Sequence, residues 1–197
     1  KLPKLTNSRI KTEQSSSKID YDIKEILEKS LSVYEVKSDL LKKLDPDVII
    51  TQSQCSVCAV SLKDVEECLS KFINRKPLLI DLKPNTYEEV LEDINLVGNK
   101  LNKKVESYFL VKNIQNEINK IKAKTLNSKI KNVLCIEWIE PIMTAGNWIP
   151  QLVKFAGGKS VLAKSGKNSN FIKPEHINFK EVDIVIFMPC GFDVKRS

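Results

Sequence analysis

Histidine is almost absent from this chain: His176 is the only one in 197 residues. It sits in the polar stretch Lys173-Pro174-Glu175-His176, far in sequence from any candidate nucleophile, so no Ser–His–acid or Cys–His arrangement is legible. Glycine is scarce too, with six in all. Gly157-Gly158-Lys159-Ser160 contains G-K-S but lacks the upstream glycine of a phosphate loop and precedes a strand, which excludes a P-loop nucleotide site. No stretch reaches the roughly 18 consecutive apolar residues of a membrane helix. Residues 1–18 lack the apolar h-region of a signal peptide. Five cysteines make an odd count, which argues against a disulfide framework as the main support of the fold and leaves at least one thiol free in any intramolecular pairing. The net charge of +7 is carried by lysines interleaved with Glu and Asn. A nucleic-acid interface would need clustered cations with aromatics nearby, and the only dense basic run, residues 120–131, reads as a helix exterior and its turn; no nucleic-acid partner is expected.

What is present is an alternation of helical and strand patterns over a chain that is 42% hydrophobic, enough for a real core. After an extended polar stretch over residues 1–18, Ser15-Ser16-Ser17 offers an N-cap to a helix over 20–29, with Ile19, Ile23, Ile26 and Leu27 on one face. A short helix over 37–44 ends before Asp45-Pro46. The β-branched run 47–51 is a strand, followed by the loop 52–60. Ser61 and Asp64 resemble a capping box before the 3–4 spacing of Leu62, Val65, Leu69 and Phe72. Residues 78–82 form the next strand, and Thr86-Tyr87-Glu88-Glu89 is a capping box opening a helix to Leu101. This order predicts a mostly parallel sheet. From 103 to 126 one helical stripe runs for some six turns with no strand between, too long for an ordinary crossover and suited to a rigid connector. A strand over 133–138, a loop to Pro150, a helix near 151–156, a strand at 160–163 and a hydrophobic strand over 183–188 complete the pattern. A buried strand needs a covering helix, so the chain is expected to be cut at its C-terminus.

The chemistry gathers at strand ends. The strand over 133–138 runs into Glu137, Trp138, Glu140, Thr144, Asn147 and Trp148, and in open α/β sheets the ligand crevice lies beyond the carboxyl ends of the strands. Two tryptophans there offer flat apolar faces with one polar N–H each; the alternative is that they are core residues of a loop-rich corner. Sulfur follows the strands as well: Cys55 and Cys58 in a C-x-x-C, Cys135 within the central strand and Cys190 after the last one. Cys55 and Cys58 have the spacing of a zinc knuckle or redox pair, and Cys135 or Cys190 would complete a tetrahedral metal set. Plain burial of these thiols among small apolar neighbours is the competing reading. Glu137 and Glu140 lack a partner at a defensible distance and read as ligand contacts or loop anchors.

Five stretches go further than their spacing: residues 44–61 (LDPDVIITQSQCSVCAVS), 85–98 (NTYEEVLEDINLVG), 133–150 (VLCIEWIEPIMTAGNWIP), 151–161 (QLVKFAGGKSV) and 183–193 (DIVIFMPCGFD). In this order they resemble the cobalamin and iron-siderophore branch of the ABC-transporter substrate-binding proteins. The resemblance implies two Rossmann-like lobes with mostly parallel sheets joined by one long backbone helix: an N-terminal lobe over 1–102 lacking its first strand and helix, the connecting helix over 103–126, and a truncated C-terminal lobe over 127–197. It implies a non-enzymatic monomer with no obligatory cofactor that captures cobalamin, a related corrinoid or an iron chelate for a membrane ABC permease. The cleft would be lined by Gln52, Cys55 and Cys58 from one lobe and by Glu137, Trp138, Asn147, Trp148 and Cys190 from the other. A periplasmic or cell-surface location follows from the resemblance. The other reading of the residues is an intracellular thiol-dependent protein whose cysteines hold a metal or a corrinoid, since no export signal is visible. A third is a scaffold that keeps the fold without the ligand.

Overall fold

Two of the α-helices begin where the sequence offers side-chain oxygens to free N–H groups. In the computed structural model, which describes residues 2–29, 32–55, 62–72 and 77–195, the Ser15 hydroxyl accepts from Lys18 N–H and opens α1 (Ser16–Glu28). Thr86 and Glu89 form a reciprocal capping box at the start of α4 (Tyr87–Lys100), satisfying two of the donors that a helix leaves free. The Ser61 cap lies outside the described residues.

The chain divides into two compact units, Lys1–Lys83 and Pro84–Ser197. In the first, β1 (Thr6–Ser8) pairs antiparallel with β2 (Tyr34–Val36), and α2 (Ser38–Leu44) ends at Asp45 in the left-handed region. β3 (Val48–Gln52) and β4 (Leu78–Leu82) pair in parallel, with Val48 opposite Leu78 and Gln52 opposite Leu82. α3 (Leu62–Phe72) lies between them in sequence and buries Val65 and Cys68. The unit holds an open, mostly apolar cavity of about 540 Å³, with Tyr34, Leu41, Ile49, Val65 and Gln52 in its wall. The β1–β2 pair replaces the extended stretch expected over residues 1–18: three residues, all exposed in β1, carry no alternation from which a strand could be read.

The second unit is built on β5 (Lys131–Trp138). One edge of β5 takes β7 (Gly158–Ser160) in parallel at its start and β6 (Met143–Thr144) antiparallel at its end. The other edge takes β9 (Ile184–Phe187) in parallel, Val133 opposite Ile184 and Ile136 opposite Phe187. β8 (Asn170–Phe171) adds to β6. The sheet is therefore mixed: the βα alternation gives the parallel pairs expected, while short returns from the loops add antiparallel ones. Period-2 geometry sends successive β5 side chains to opposite faces. Val133 and Cys135 pack with Ala145, Val153 and Ile149 on one face. Leu134 and Ile136 pack with Ile177, Val161, Ile172 and Val185 on the other.

The 22-residue helix α5 (Lys104–Thr125) follows α4 directly and packs on it. Gly98 makes the approach possible, because a Cβ there would collide with the Ser107 side chain. These two helices pack together, and α4 falls in the second unit. α6 (Ile149–Phe155) carries Pro150 in its first turn, where the missing N–H costs nothing. It starts two residues before the expected 151. The strand expected at 160–163 stands at 158–160, and His176 closes a 3-10 turn over Pro174–His176.

Candidate functional site

The carboxyl ends of β5 and β9 and the loops beside them bring most of the second unit's expected site residues together. Glu137 is the penultimate residue of β5, half-buried, and its carboxylate accepts a short hydrogen bond from the Ser169 hydroxyl. The same hydroxyl accepts from Gly146 N–H at 3.0 Å. Asn147, in the left-handed region at φ +52°, donates its N–H to Lys167 O at 2.6 Å and accepts at its own carbonyl from Gly166 N–H at 3.0 Å. Thus residues 144–147 are stitched to the 162–170 loop. Gly146 has no room for a side chain, since a Cβ would strike the backbone of residues 167–169. Thr144, fully buried, donates to Asn170 Oδ1 at 3.0 Å.

Trp138 donates its indole N–H to Glu140 O at 3.1 Å, and its ring meets Phe192 at 5.3 Å between centroids and 58° between planes. Trp148 stands at the start of α6, where its carbonyl accepts from Gln151 and Leu152 N–H. The aromatic partner of Trp138 is therefore Phe192, beyond β9, and not Trp148. Gln151 donates to Glu88 at 2.6 Å and accepts from Tyr87 N–H at 2.8 Å, which ties α6 to the first turn of α4. Asn147 Oδ1 is buried without a hydrogen-bond partner, an uncompensated acceptor beside the loop.

Cys190 follows β9, and its N–H donates to Glu137 O at 3.3 Å. Loss of solvent around the thiol, and next the Glu137 charge, push its pKa above the ordinary thiol value. Burial does the same to Cys135, which lies in the core against α6. Both changes favour the neutral thiol over the thiolate that binds metals or attacks. Cys55 is engaged in a disulfide, and Cys58 lies outside the described residues. Among the described residues no three His, Cys, Asp or Glu side chains come together as metal ligands. The tetrahedral set of Cys55, Cys58, Cys135 and Cys190 read from the sequence thus loses Cys55 to a disulfide and Cys135 to the core: a β-branched strand flanked on both faces must bury its middle residues, whatever chemistry they carry.

Gln52 ends β3 in the first unit and lies in the wall of the apolar cavity there. Next to it the Ser53 hydroxyl donates to Asp81 at 2.7 Å, and Asp81 pairs with Lys83 at 3.1 Å. Sequence reasoning reads residues 164–170 as a polar loop but does not assign it or Ser169 to the site. Their only local signal is a run of small polar residues with one glycine, which marks a loop but not its destination.

Among curated proteins no relative matches by sequence. Solved structures with the same fold are an ABC-transporter substrate-binding protein from Listeria monocytogenes EGD-e (TM-score 0.62, 18% identity, 82% of this chain and 60% of that one) and the periplasmic vitamin B12 binding protein BtuF of Vibrio cholerae (TM-score 0.56, 13%, 77% and 57%). A third is IsdE of S. aureus, solved with heme (TM-score 0.56, 21%, 80% and 59%). This chain spans between 57% and 60% of the length of these three. The profile of the periplasmic binding protein family matches residues 8–196, nearly the whole sequence, and the chain belongs to that family.

Proposed function

We propose that this chain is the solute-capturing part of an ABC-type importer, binding a corrinoid and handing it to a membrane permease. It acts as a monomer in an extracytoplasmic compartment, performs no catalysis and needs no resident cofactor. The observation that carries the reading is the site at the ends of β5 and β9: the Trp138–Phe192 ring pair beside Glu137, which Ser169 holds, and the unpartnered Asn147 Oδ1. Aromatic faces cover the apolar surface of a flat macrocycle, and fixed polar groups meet its substituents. The family match supports capture over catalysis, and solved relatives bind vitamin B12 or heme. The disulfide at Cys55 suits an oxidising compartment. The disulfide at Cys55 and the burial of Cys135 in the core withdraw two of the four thiols, so the thiol-dependent metal protein is the weaker reading.

Gln52, Cys55 and Cys58 of the first unit are proposed as further ligand contacts, in addition to Trp138, Asn147, Trp148 and Cys190 of the second. The decisive experiment is a titration with cyanocobalamin followed by Trp fluorescence, repeated with Trp138→Ala and Trp148→Ala. Saturable quenching that weakens at least tenfold in Trp138→Ala supports corrinoid capture. A second reading is haem, for which the exposed Met188 just past β9 offers a thioether ligand. It predicts a Soret band that shifts in Met188→Ala, with no response to cyanocobalamin.

A further inference from the structure

Helix α5 carries two apolar stripes where one is needed for packing. Ser107, Val111, Ile114 and Ile118, spaced four, three and four apart, are with the terminal Thr125 the residues it buries or half-buries. On the opposite side Val105, Tyr108 and Phe109 are 65%, 57% and 54% exposed. With Lys112 they follow the i, i+3, i+4, i+7 spacing of a single face. Leu101, at the turn from α4, is exposed as well. A surface helix in water ordinarily keeps its outer face polar, and a contiguous exposed apolar patch marks a place where something binds.

The charges around this patch say what. Lys100, Lys103, Lys104 and Lys112 flank it, all exposed, against one acid in the same turns, Glu106, which Lys103 pairs at 3.0 Å. The Lys112 ammonium stands over the Tyr108 ring, 5.8 Å from its centroid, so a cation already lies at the face of the exposed aromatic. Aromatic rings at headgroup depth with lysines around them match the surface of an anionic bilayer, where the rings enter the boundary and the ammonium groups meet phosphates. We infer that the α4–α5 turn and the outer face of the first two turns of α5 form a contact surface for anionic phospholipid. This surface is independent of the ligand site, and its use does not depend on which chelate is carried. It would hold the protein along the membrane in which its permease sits.

The test is co-sedimentation of the full chain with vesicles of phosphatidylcholine alone and of phosphatidylcholine with about one third phosphatidylglycerol. Expected is binding to the anionic vesicles only, weakened by added salt and reduced at least tenfold in Tyr108→Ser/Phe109→Ser. Lys103→Gln/Lys104→Gln, which leaves the apolar stripe intact, is expected to lose roughly five-fold or more, whereas Lys173→Gln/Lys180→Gln, remote in sequence and equal in charge change, binds like the parent. Circular dichroism melts establish that each variant is folded, and the lysine pair carries the test should the aromatic variant not fold. Equal binding to both vesicle types, no binding to either, or equal losses in the two lysine pairs would overturn the proposal. So would concentration-dependent self-association of the parent that vanishes in Tyr108→Ser/Phe109→Ser, which would assign the face to a second copy of the chain.

Discussion

The hydroxyl of Ser169 joins two segments that are more than twenty residues apart, donating to Glu137 and accepting from Gly146 N–H. Removing it leaves a half-buried carboxylate and a backbone donor without that partner, so Ser169→Ala is expected to cost about 1–3 kcal/mol. Urea unfolding measures this, and on the proposed corrinoid reading the affinity for cyanocobalamin should fall with it as the loop loosens. The free thiols respond to pH in a defined direction. Because the buried Cys135 thiol is raised above the usual value in the folded chain, its contribution to stability is complete below the unfolded thiol pKa, about 8.5, and is lost as pH rises through the folded value. Alkylation by iodoacetamide in the native state should accordingly lag behind that of the urea-unfolded chain at pH 8, most at buried Cys135. Asp183 behaves in the opposite sense. The Asn132 N–H above all lowers its pKa, with Lys131 adding to it. Its stabilisation is therefore present above the unfolded value near pH 4 and is lost as pH falls through the folded one, so Asp183→Asn should flatten the acid limb of the stability curve.

At the scale of elements, β5 organises the second unit because both of its faces and both of its edges are occupied. Leu134, with no exposed surface, fills the face opposite α6, and Leu134→Ala should cost about 2–5 kcal/mol from lost transfer energy and the cavity left behind. The α4–α5 pair depends on close approach. A methyl at Gly98 meets the Ser107 side chain while the helix backbone itself accepts alanine readily. Gly98→Ala is thus expected to destabilise by about 1–3 kcal/mol in spite of alanine's higher helix propensity, as thermal unfolding would show; a stabilised variant would mean that the two helices separate easily.

The whole molecule is uneven in how well it is packed. The first unit pairs its strands two by two and keeps an open cavity of about 540 Å³, whereas the second has a five-stranded sheet with two buried clusters. Local opening needs least energy where buried contacts are few, so amide exchange should be faster in β3 and β4 than in β5. Ligand that binds only the folded chain must raise its stability by mass action: cyanocobalamin at a hundred times its dissociation constant should add about 2.7 kcal/mol. A thermal shift of that sign with cyanocobalamin and none with hemin would separate the corrinoid reading from the haem one.

Local chemistry was sufficient where a few neighbouring residues decide the outcome. Ser15 and Thr86 mark the helix starts, Asp45-Pro46 the end of α2, the β-branched run the position of β3, and the unbroken stripe the length of α5; each rests on hydrogen bonds or sterics within one or two turns of chain. The likeness of five stretches to substrate-binding proteins likewise comes from the sequence alone, because it is a matter of order and identity. Tertiary structure decided what depends on distance across the chain. It put Cys135 into the core against α6 and paired Trp138 with Phe192. It also brought Ser169 to Glu137. These contacts join residues tens of positions apart, and no local propensity reports which strand edge or loop will supply the partner until the sheet has formed.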